Sequence, residues 1–271
     1  EMIMKKYKLL FLACLTLFSS CDDFLEREPL DFVSPDNYLE NENQAEKLLN
    51  GVYECLMNHT ANARLFPIHI ATMTDDAFDP QPWHDTTEWP RGQGNANSAM
   101  PKLKWEQNYK GIARANVFIN SVASAGFSSK NLPRYIGEAK FLRAINYFEL
   151  VRFFGKQYEA GKTNTQLGVP IVLSSKVNFS GDLSIARNTV EEVYAQVIKD
   201  LTEAITKLPS DNSYYADIYT AKALLARVYL QKGDYPNART MANDVITKSG
   251  KSLVTNFEAA FNTGENTSED L

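Results

Sequence analysis

Two tryptophans in one polar segment have the most distinctive chemistry in this chain. Trp83 and Trp89 are two of its three tryptophans, and prolines stand beside both. A sugar has apolar C–H faces and a polar rim, so its site needs a flat aromatic surface ringed by short hydrogen-bonding side chains. The same segment supplies those side chains: Asp75, Asp76, His84, Arg91, Asn95 and Asn97. The segment therefore contains the residue types that a glycan site would need.

The segment itself, "TMTDDAFDPQPWHDTTEWPRGQGNANSAMPK", carries few periodic signals. Structureless segments this long in compact domains are usually functional or disordered. Pro82 and Pro90 would stiffen the backbone and lower the entropy cost of holding an aromatic platform in place. The alternative is that Trp83 or Trp89 is a buried plug, since this side chain buries a large area.

Motifs for catalysis are absent from the sequence. It has no nucleophile elbow, phosphate-binding glycine loop or metal-binding helix. Glycosidase chemistry needs two carboxylates roughly 5–10 Å apart across a sugar, so we interpret Asp75–Asp76 as a turn and Glu191–Glu192 as an exposed first helical turn. We expect no enzyme activity, no cofactor and no metal. The net charge of −5, without a basic run, argues against a nucleic-acid partner.

The start of the chain has the pattern of a lipoprotein signal. Lysines precede the apolar stretch Leu9–Phe18, which is too short to span a bilayer as a stable helix. Ser19–Ser20 and then Cys21 follow, a small-small-Cys ending that resembles a bacterial lipoprotein signal, in which the cysteine is acylated. We predict a signal peptide over 1–20, lipidation of Cys21, and an anchor and tether over 21–37. An ordinary cleaved secretion signal is the alternative.

The rest of the chain, 38–271, has the periodicity of helices. Helical spacing is found in "NENQAEKLLNGVYECLM", "KWEQNYKGIARANVFINSVAS", "LPRYIGEAKFLRAINYFELVRFFG" and "RNTVEEVYAQVIKDLTEAITKLP". Thr189 and Glu192 form a capping box before the last of these. Cys55 lies on an apolar face and is expected to be a buried thiol, while "GVPIVL" is one short strand-like run. The sequence therefore predicts an all-α fold.

A helical hairpin is predicted in "DIYTAKALLARVYLQKGDYPNARTMANDVITKSG". Its small residues and tyrosines have the spacing of a tetratricopeptide repeat: Ala226, Tyr229, Gly233, Tyr235 and Ala238. The small residues would let two helices approach closely, with the tyrosines filling the gaps beside the contact. Ala144 and Tyr147 repeat the first spacing, which predicts repeats over about 135–250 and pairs that earlier helix with the one starting near Thr189. Two unrelated amphipathic hairpins are the alternative.

Six segments, in this order, resemble the SusD/RagB family of outer-membrane lipoproteins of the Bacteroidetes. They are "CDDFLEREP", "NYKGIARANVFI", "EAKFLRAINYFELVRFFG", "GVPIVL", "RNTVEEVYAQVIKDLTEAI" and "AKALLARVYLQKGDYPNAR". The resemblance implies a tetratricopeptide-like helical body with long irregular loops that binds a glycan at the cell surface. It also implies a lipid anchor in the outer membrane and a SusC-like TonB-dependent transporter as the partner that imports the glycan.

Family members are longer than this chain and continue into a second, loop-rich half, so the resemblance covers their N-terminal part. We expect the helix at 132–154, which is apolar nearly all round, to contribute to an interface with that half. The second functional hypothesis is a protein-interaction scaffold without sugar binding, because tetratricopeptide arrays commonly bind peptides. Trp83 and Trp89, outside the repeats, favour the glycan hypothesis.

Overall fold

The computed structural model describes residues 39, 41–57, 70–71, 74, 98–123, 127–174 and 184–254. Six α-helices and the connections between them lie in these ranges. They are α1 Glu42–Leu56, α2 Ala99–Ala123, α3 Leu132–Phe154, α4 Val190–Ile205, α5 Ile218–Lys232 and α6 Tyr235–Lys248. All six belong to one structural unit, Leu39–Leu271. No strand occurs in these ranges, and the predicted all-α class is confirmed.

Helix α1 begins at a side-chain cap and buries one face. Asn41 Oδ1 accepts a hydrogen bond from the Gln44 backbone N–H at 3.0 Å, which satisfies one of the unpaired donors at the helix start. The residues that the periodicity placed inside are buried: Ala45, Leu49, Val52 and Cys55. The interpretation of Cys55 as a buried free thiol is confirmed.

Helix α3 lies at the centre of the fold, in contact with α1, α2, α4 and α5. Every residue of α3 except Pro133 is buried or half-buried, as its apolar circumference predicts. Helices of this chain therefore cover the apolar surface of α3. Several of its residues, among them Phe153 and Phe154, are only half-buried, and the expectation that part of α3 faces a second half of the protein stays a prediction.

Helix α4 packs antiparallel to α3, as the repeat spacing predicts. Lys140 pairs with Glu203, and one turn further along α3 Arg143 pairs with Asp200. The capping box is confirmed, because the Glu192 N–H donates to Thr189 Oγ1 at 3.2 Å and Glu192 Oε2 accepts from the Thr189 N–H at 2.7 Å. Helices α3 and α4 therefore form an antiparallel pair, although a long connection separates them in the sequence.

Helices α5 and α6 form the second hairpin, joined at Gly233 with φ of +74°. Ala238 of α6 is 8% exposed, as expected for a small residue at a close helix contact. Tyr235 was expected to fill a gap beside that contact, but it is 67% exposed. The buried contact begins one turn later, at Ala238, so the ring of Tyr235 is left in solvent.

The connection between α3 and α4 contains the segment "GVPIVL", 168–173, which the sequence marked as strand-like. Leu167 forms one isolated antiparallel bridge with Thr189, and 168–173 belong to no strand. Backbone hydrogen bonds join its first two residues, Gly168 and Val169, to Asn188, and side chains hold the rest of the segment. Tyr147 Oη donates to the Val172 carbonyl and accepts from the Val172 N–H, both at 2.7 Å. The segment is therefore fixed against α3 by its own hydrogen bonds.

Candidate functional site

The residues that the sequence singled out lie outside the described part of the chain. They are Cys21 and the predicted glycan-site residues Trp83, Trp89, Asp75, Asp76, His84, Arg91, Asn95 and Asn97. Ser98 follows residues 75–97 directly and leads into α2. The structure therefore describes the start of α2, the helical surface to which residues 75–97 are joined.

An aromatic cluster lies at that surface. The ring of Trp105, early in α2, packs edge-on against Phe154 at the end of α3, with centroids 5.0 Å apart and planes at 90°. Its other neighbour is Tyr109, with centroids 4.8 Å apart. All three rings are half-buried, so they are fixed by packing while part of their surface stays in contact with solvent. We call this set the Trp105 cluster.

Charged groups stand beside the Trp105 cluster in paired form. Lys104 Nζ donates to Glu149 Oε2 at 3.0 Å, and Arg152 Nη1 donates to Glu149 Oε1 at 2.9 Å. The Lys104 side chain is 1% exposed, and burial lowers the pKa of its ammonium group. Lys104 also lies over the Phe153 ring, 5.2 Å from its centroid. Both oxygens of Glu149 are engaged, so this carboxylate is a structural partner of two cations.

Hydrogen bonds fix the position of α2 on the connection that follows α3. Tyr109 Oη donates to the Pro170 carbonyl at 2.8 Å. Further along α2, Asn116 Nδ2 donates to the Val172 carbonyl at 2.7 Å. The end of the body that bears the Trp105 cluster is therefore rigidly held. Aromatic surface beside held polar groups suits a ligand with apolar faces and a polar rim.

The sequence did not single out Trp105 because a tryptophan within a helix is ordinarily interpreted as a core residue. Its position could have marked it, since Trp105 follows a lysine and lies in the first turns of the helix after the polar segment. Glu149 and Arg152 gave no signal, since their meeting with Lys104 depends on the packing of two helices.

The other acidic pair that the sequence raised has structural partners. Glu191 Oε2 accepts from Tyr158 Oη at 2.5 Å, and Glu191 Oε1 accepts from Lys232 Nζ at 3.0 Å. Glu192 belongs to the capping box. Within the described ranges no group of His, Cys, Asp and Glu side chains has the arrangement of a metal site.

Among the described helices, none is both long enough and apolar enough to cross a membrane.

Comparison with known proteins identifies the family. A family model described as "Starch-binding associating with outer membrane" matches residues 23–230. The chain belongs to the SusD-like family. The predicted family membership and SusD-like helical fold are thereby confirmed.

Individual SusD-like relatives agree with the family match. The SusD-like protein P38 of Formosa agariphila is 28% identical over 260 residues, covering 93% of this chain and 48% of the relative. A SusD superfamily structure from Bacteroides thetaiotaomicron superposes with a TM-score of 0.66 at 27% identity, covering 80% of this chain and 49% of that one. A laminarin-binding SusD-like protein gives 0.69 at 25% identity, covering 82% and 48%. The chain spans about half the length of the curated relatives it matches.

Proposed function

We propose that this protein binds a glycan at the outer-membrane surface and works with a SusC-like TonB-dependent transporter in nutrient import, without catalysing a reaction. The observation that carries the proposal is the family match over residues 23–230, whose description names both starch binding and the outer membrane. The fold is shared with a relative that binds laminarin. A binding role also agrees with the carboxylates described above, since Glu149, Glu191 and Glu192 are each held in structural pairs.

The glycan site is proposed in the segment 75–97, where Trp83 and Trp89 would stack on sugar rings. Support comes from the surface to which this segment is joined. The Trp105 cluster presents part of three aromatic rings there, beside the paired charges of Lys104 and Glu149. A glycan chain is longer than one ring, so a second aromatic surface next to the tryptophan segment would extend its contact.

Affinity electrophoresis in gels that contain laminarin or starch tests this proposal. Trp83→Ala and Trp89→Ala should weaken retention of the chain about tenfold to a hundredfold in affinity, since each removes a stacking surface worth roughly 1–3 kcal/mol. Trp105→Ala should weaken it less, because this ring is shared with the packing of Phe154. Tyr235→Ala, at an exposed aromatic of α6 that is not part of the Trp105 cluster, is the matched control and should bind like the parent.

Two outcomes would contradict the proposed site or function. If Trp83→Ala and Trp89→Ala bind as tightly as the parent, the glycan is held elsewhere. A parent protein that is retained by no polysaccharide in a broad panel would remove glycan binding altogether. Melting temperatures of the variants separate lost contact from lost folding, because a large decrease would indicate that the tryptophan is a buried plug.

The lipid anchor is proposed at Cys21. A small pair precedes this residue and acids follow it, as in a lipoprotein signal. Two or more acyl chains would hold the protein on a membrane stably. Cys21→Ala should leave unprocessed precursor and abolish labelling by a fatty-acid probe in cells. Unchanged labelling of this variant would rule out Cys21 as the acylated residue.

The transporter is proposed to dock on the helices between Thr189 and Gly250. The hairpin α5–α6 leaves large apolar side chains in solvent, including Leu230 at 58%, Tyr235 at 67% and Ile246 at 74% exposed. Exposed apolar groups of this kind are common in interfaces with other proteins. Hydrogen exchange of a purified complex should show slower exchange in α5 and α6, and unchanged exchange there would argue against this surface.

The same exposed hairpin is the observation that favours the second candidate function, a protein-interaction scaffold. A scaffold would bind a protein partner through α5 and α6 and would show no retention by polysaccharides. The gel experiment separates the two functions, since only the glycan binder responds to Trp83→Ala and Trp89→Ala.

A further inference from the structure

A small cleft opens between α1, the first turns of α3 and the segment before α5, at the opposite end of α3 from the Trp105 cluster. It has a volume of about 170 Å³ and is lined by Glu46, Leu49, Asn50, Arg134, Tyr135, Glu138 and Tyr215. Sites for drug-sized ligands are roughly 300–1,000 Å³. The cleft is therefore suited to a ligand of about one ring.

The floor of the cleft is a hydrogen-bonded centre built on Glu138, whose side chain is fully buried. Glu138 Oε2 accepts from Tyr53 Oη at 2.8 Å, and Oε1 accepts from Arg134 Nη1 at 3.1 Å and from Asn212 Nδ2 at 3.0 Å. The Ala216 N–H in turn donates to Tyr53 Oη at 3.0 Å. These bonds tie α1, α3 and the segment before α5 together, so the cleft is preformed.

The walls of the cleft combine an aromatic surface with groups that can still form hydrogen bonds. Tyr215 is 41% exposed, and its ring is held edge-on against Tyr53 with centroids 5.2 Å apart. Arg134 Nη2 lies 3.8 Å from Glu46 Oε1, which is beyond hydrogen-bond distance. The N–H groups of Nη2 therefore remain available to a ligand. The Asn50 side chain is exposed and makes no hydrogen bond with the described residues.

Charge gives no preference for an anionic ligand here. The guanidinium of Arg134 lies 3.8 Å from the Glu46 carboxylate at the rim and 3.1 Å from the Glu138 carboxylate at the floor, so both offset its positive charge. Arg134 is also stacked over the Tyr135 ring at 4.4 Å, which fixes the plane of its remaining donors. A neutral ring with one apolar face and several hydroxyl groups would contact Tyr215 and Leu49 with its face. Its hydroxyls would reach Asn50, Glu46 and Arg134.

We propose that this cleft is a second carbohydrate site, which holds a single neutral pyranose ring on Tyr215. The class of ligand rests on the proposed glycan-binding function, whereas the location is independent of the segment 75–97. A site for one ring buries little surface, so we expect weak, about millimolar binding. Such a site would retain a terminal or branching sugar of a glycan that is held mainly elsewhere.

Saturation-transfer NMR on the whole chain tests the proposal, with methyl glucopyranosides and methyl galactopyranosides of both anomers as probes. Tyr215→Ala should reduce the transfer to at least one of these probes by fivefold or more. Asn50→Ala, an exposed change on α1 that leaves the Glu138 centre intact, should reduce it about threefold. Tyr214→Ala is the matched control, because this neighbouring tyrosine is 82% exposed and does not line the cleft.

The doubly substituted Trp83→Ala, Trp89→Ala protein distinguishes this proposal from the proposed function. Retained transfer in that protein, with loss of polysaccharide retention in gels, would support two separate sites. Transfer that survives Tyr215→Ala and Asn50→Ala but disappears in the double variant would overturn the cleft proposal and leave the main site standing. Absence of transfer from every probe would also overturn it, whatever the gels show.

Discussion

Arg143 of α3 and Asp200 of α4 form a two-point salt bridge inside the helical body. Arg143 Nε donates to Asp200 Oδ2 at 2.8 Å, and Nη2 donates to Oδ1 at 2.6 Å. The side chains are 7% and 1% exposed. Arg143 Nη1 also donates to Asn116 Oδ1 at 2.8 Å, so one guanidinium connects α2, α3 and α4. Charge-assisted, two-point geometry of this kind is among the stronger hydrogen-bonding arrangements in proteins.

Asp200→Asn should destabilise the protein by roughly 3–5 kcal/mol, because it leaves the buried Arg143 without a counter-charge. Urea denaturation followed by circular dichroism measures the change. Glu159→Gln, in the exposed Lys162–Glu159 pair, is the control and should change stability little. Equal midpoints for Asp200→Asn and the parent would show that the buried bridge contributes nothing to stability.

Gly233→Ala should destabilise the hairpin α5–α6 for two reasons. The backbone there is left-handed, with φ of +74°, and an added Cβ would lie 2.7 Å from the Cβ of Ala160. Gly250→Ala is the matched control, since its φ is +75° but nothing lies within 4 Å of an added Cβ. We expect about 1 kcal/mol from backbone strain at Gly250 and more at Gly233. Equal losses in urea denaturation would show that the contact with Ala160 relaxes without cost.

The sequence predicted most of the helical body because its signals are local. The apolar spacing of α1 and α4 and the Thr189–Glu192 capping box depend on residues a few positions apart, and each is confirmed. Buried charges were not predicted. Arg143 and Asp200 are 57 residues apart, and periodicity shows which face is inside without showing which polar groups meet there.

The candidate site could not be predicted from the sequence as well as the helices, because it too depends on contacts between residues that are far apart in the chain. Trp83 and Trp89 drew attention because they stand in a segment without periodicity, whereas Trp105 has the context of an ordinary helical residue. Its role beside Phe154 comes from α2 packing antiparallel to α3. The cleft at Glu138 likewise needs three separate stretches of chain, so no single motif marks it.

The pairing of α5 with α6 should make stability depend on acid pH through Asp244. Hydrogen bonds from Lys222, at 2.6 Å, and then from Lys248, at 2.5 Å, lower the pKa of this carboxyl to about 2. Since the folded pKa is below the unfolded value, the contribution is present at neutral pH and is lost as the pH falls from about 4 to 2. Urea midpoints of the parent and Asp244→Asn should therefore differ most at neutral pH and converge at pH 2. A constant difference across this range would contradict the assignment.

Tyr147→Phe should loosen the segment 168–173 without disturbing the helices. The ring of Tyr147 is completely buried in the core, so its packing survives the change. The hydrogen bond that its hydroxyl donates to the Val172 carbonyl and the one that it accepts from the Val172 N–H are both lost. Asn116 still donates to the Val172 carbonyl, whereas the Val172 N–H is left without its only described partner. Val172 is half-buried, so water can partly replace the lost partner, and we expect a cost toward the lower end of the roughly 1–3 kcal/mol of a buried unpaired donor.

Hydrogen exchange measures the effect of Tyr147→Phe directly, because the Val172 amide should exchange faster by about tenfold or more, while amides in α3 and α4 keep the rates of the parent. Tyr229→Phe is the matched control, since this half-buried tyrosine of α5 makes no hydroxyl hydrogen bond with the described residues. An unchanged rate at Val172 would mean that the other hydrogen bonds of the segment, with Asn116 and Asn188, are sufficient to hold it. In that case the hydrogen bonds with Val172 would pair the buried hydroxyl of Tyr147 but would not be needed to hold the segment.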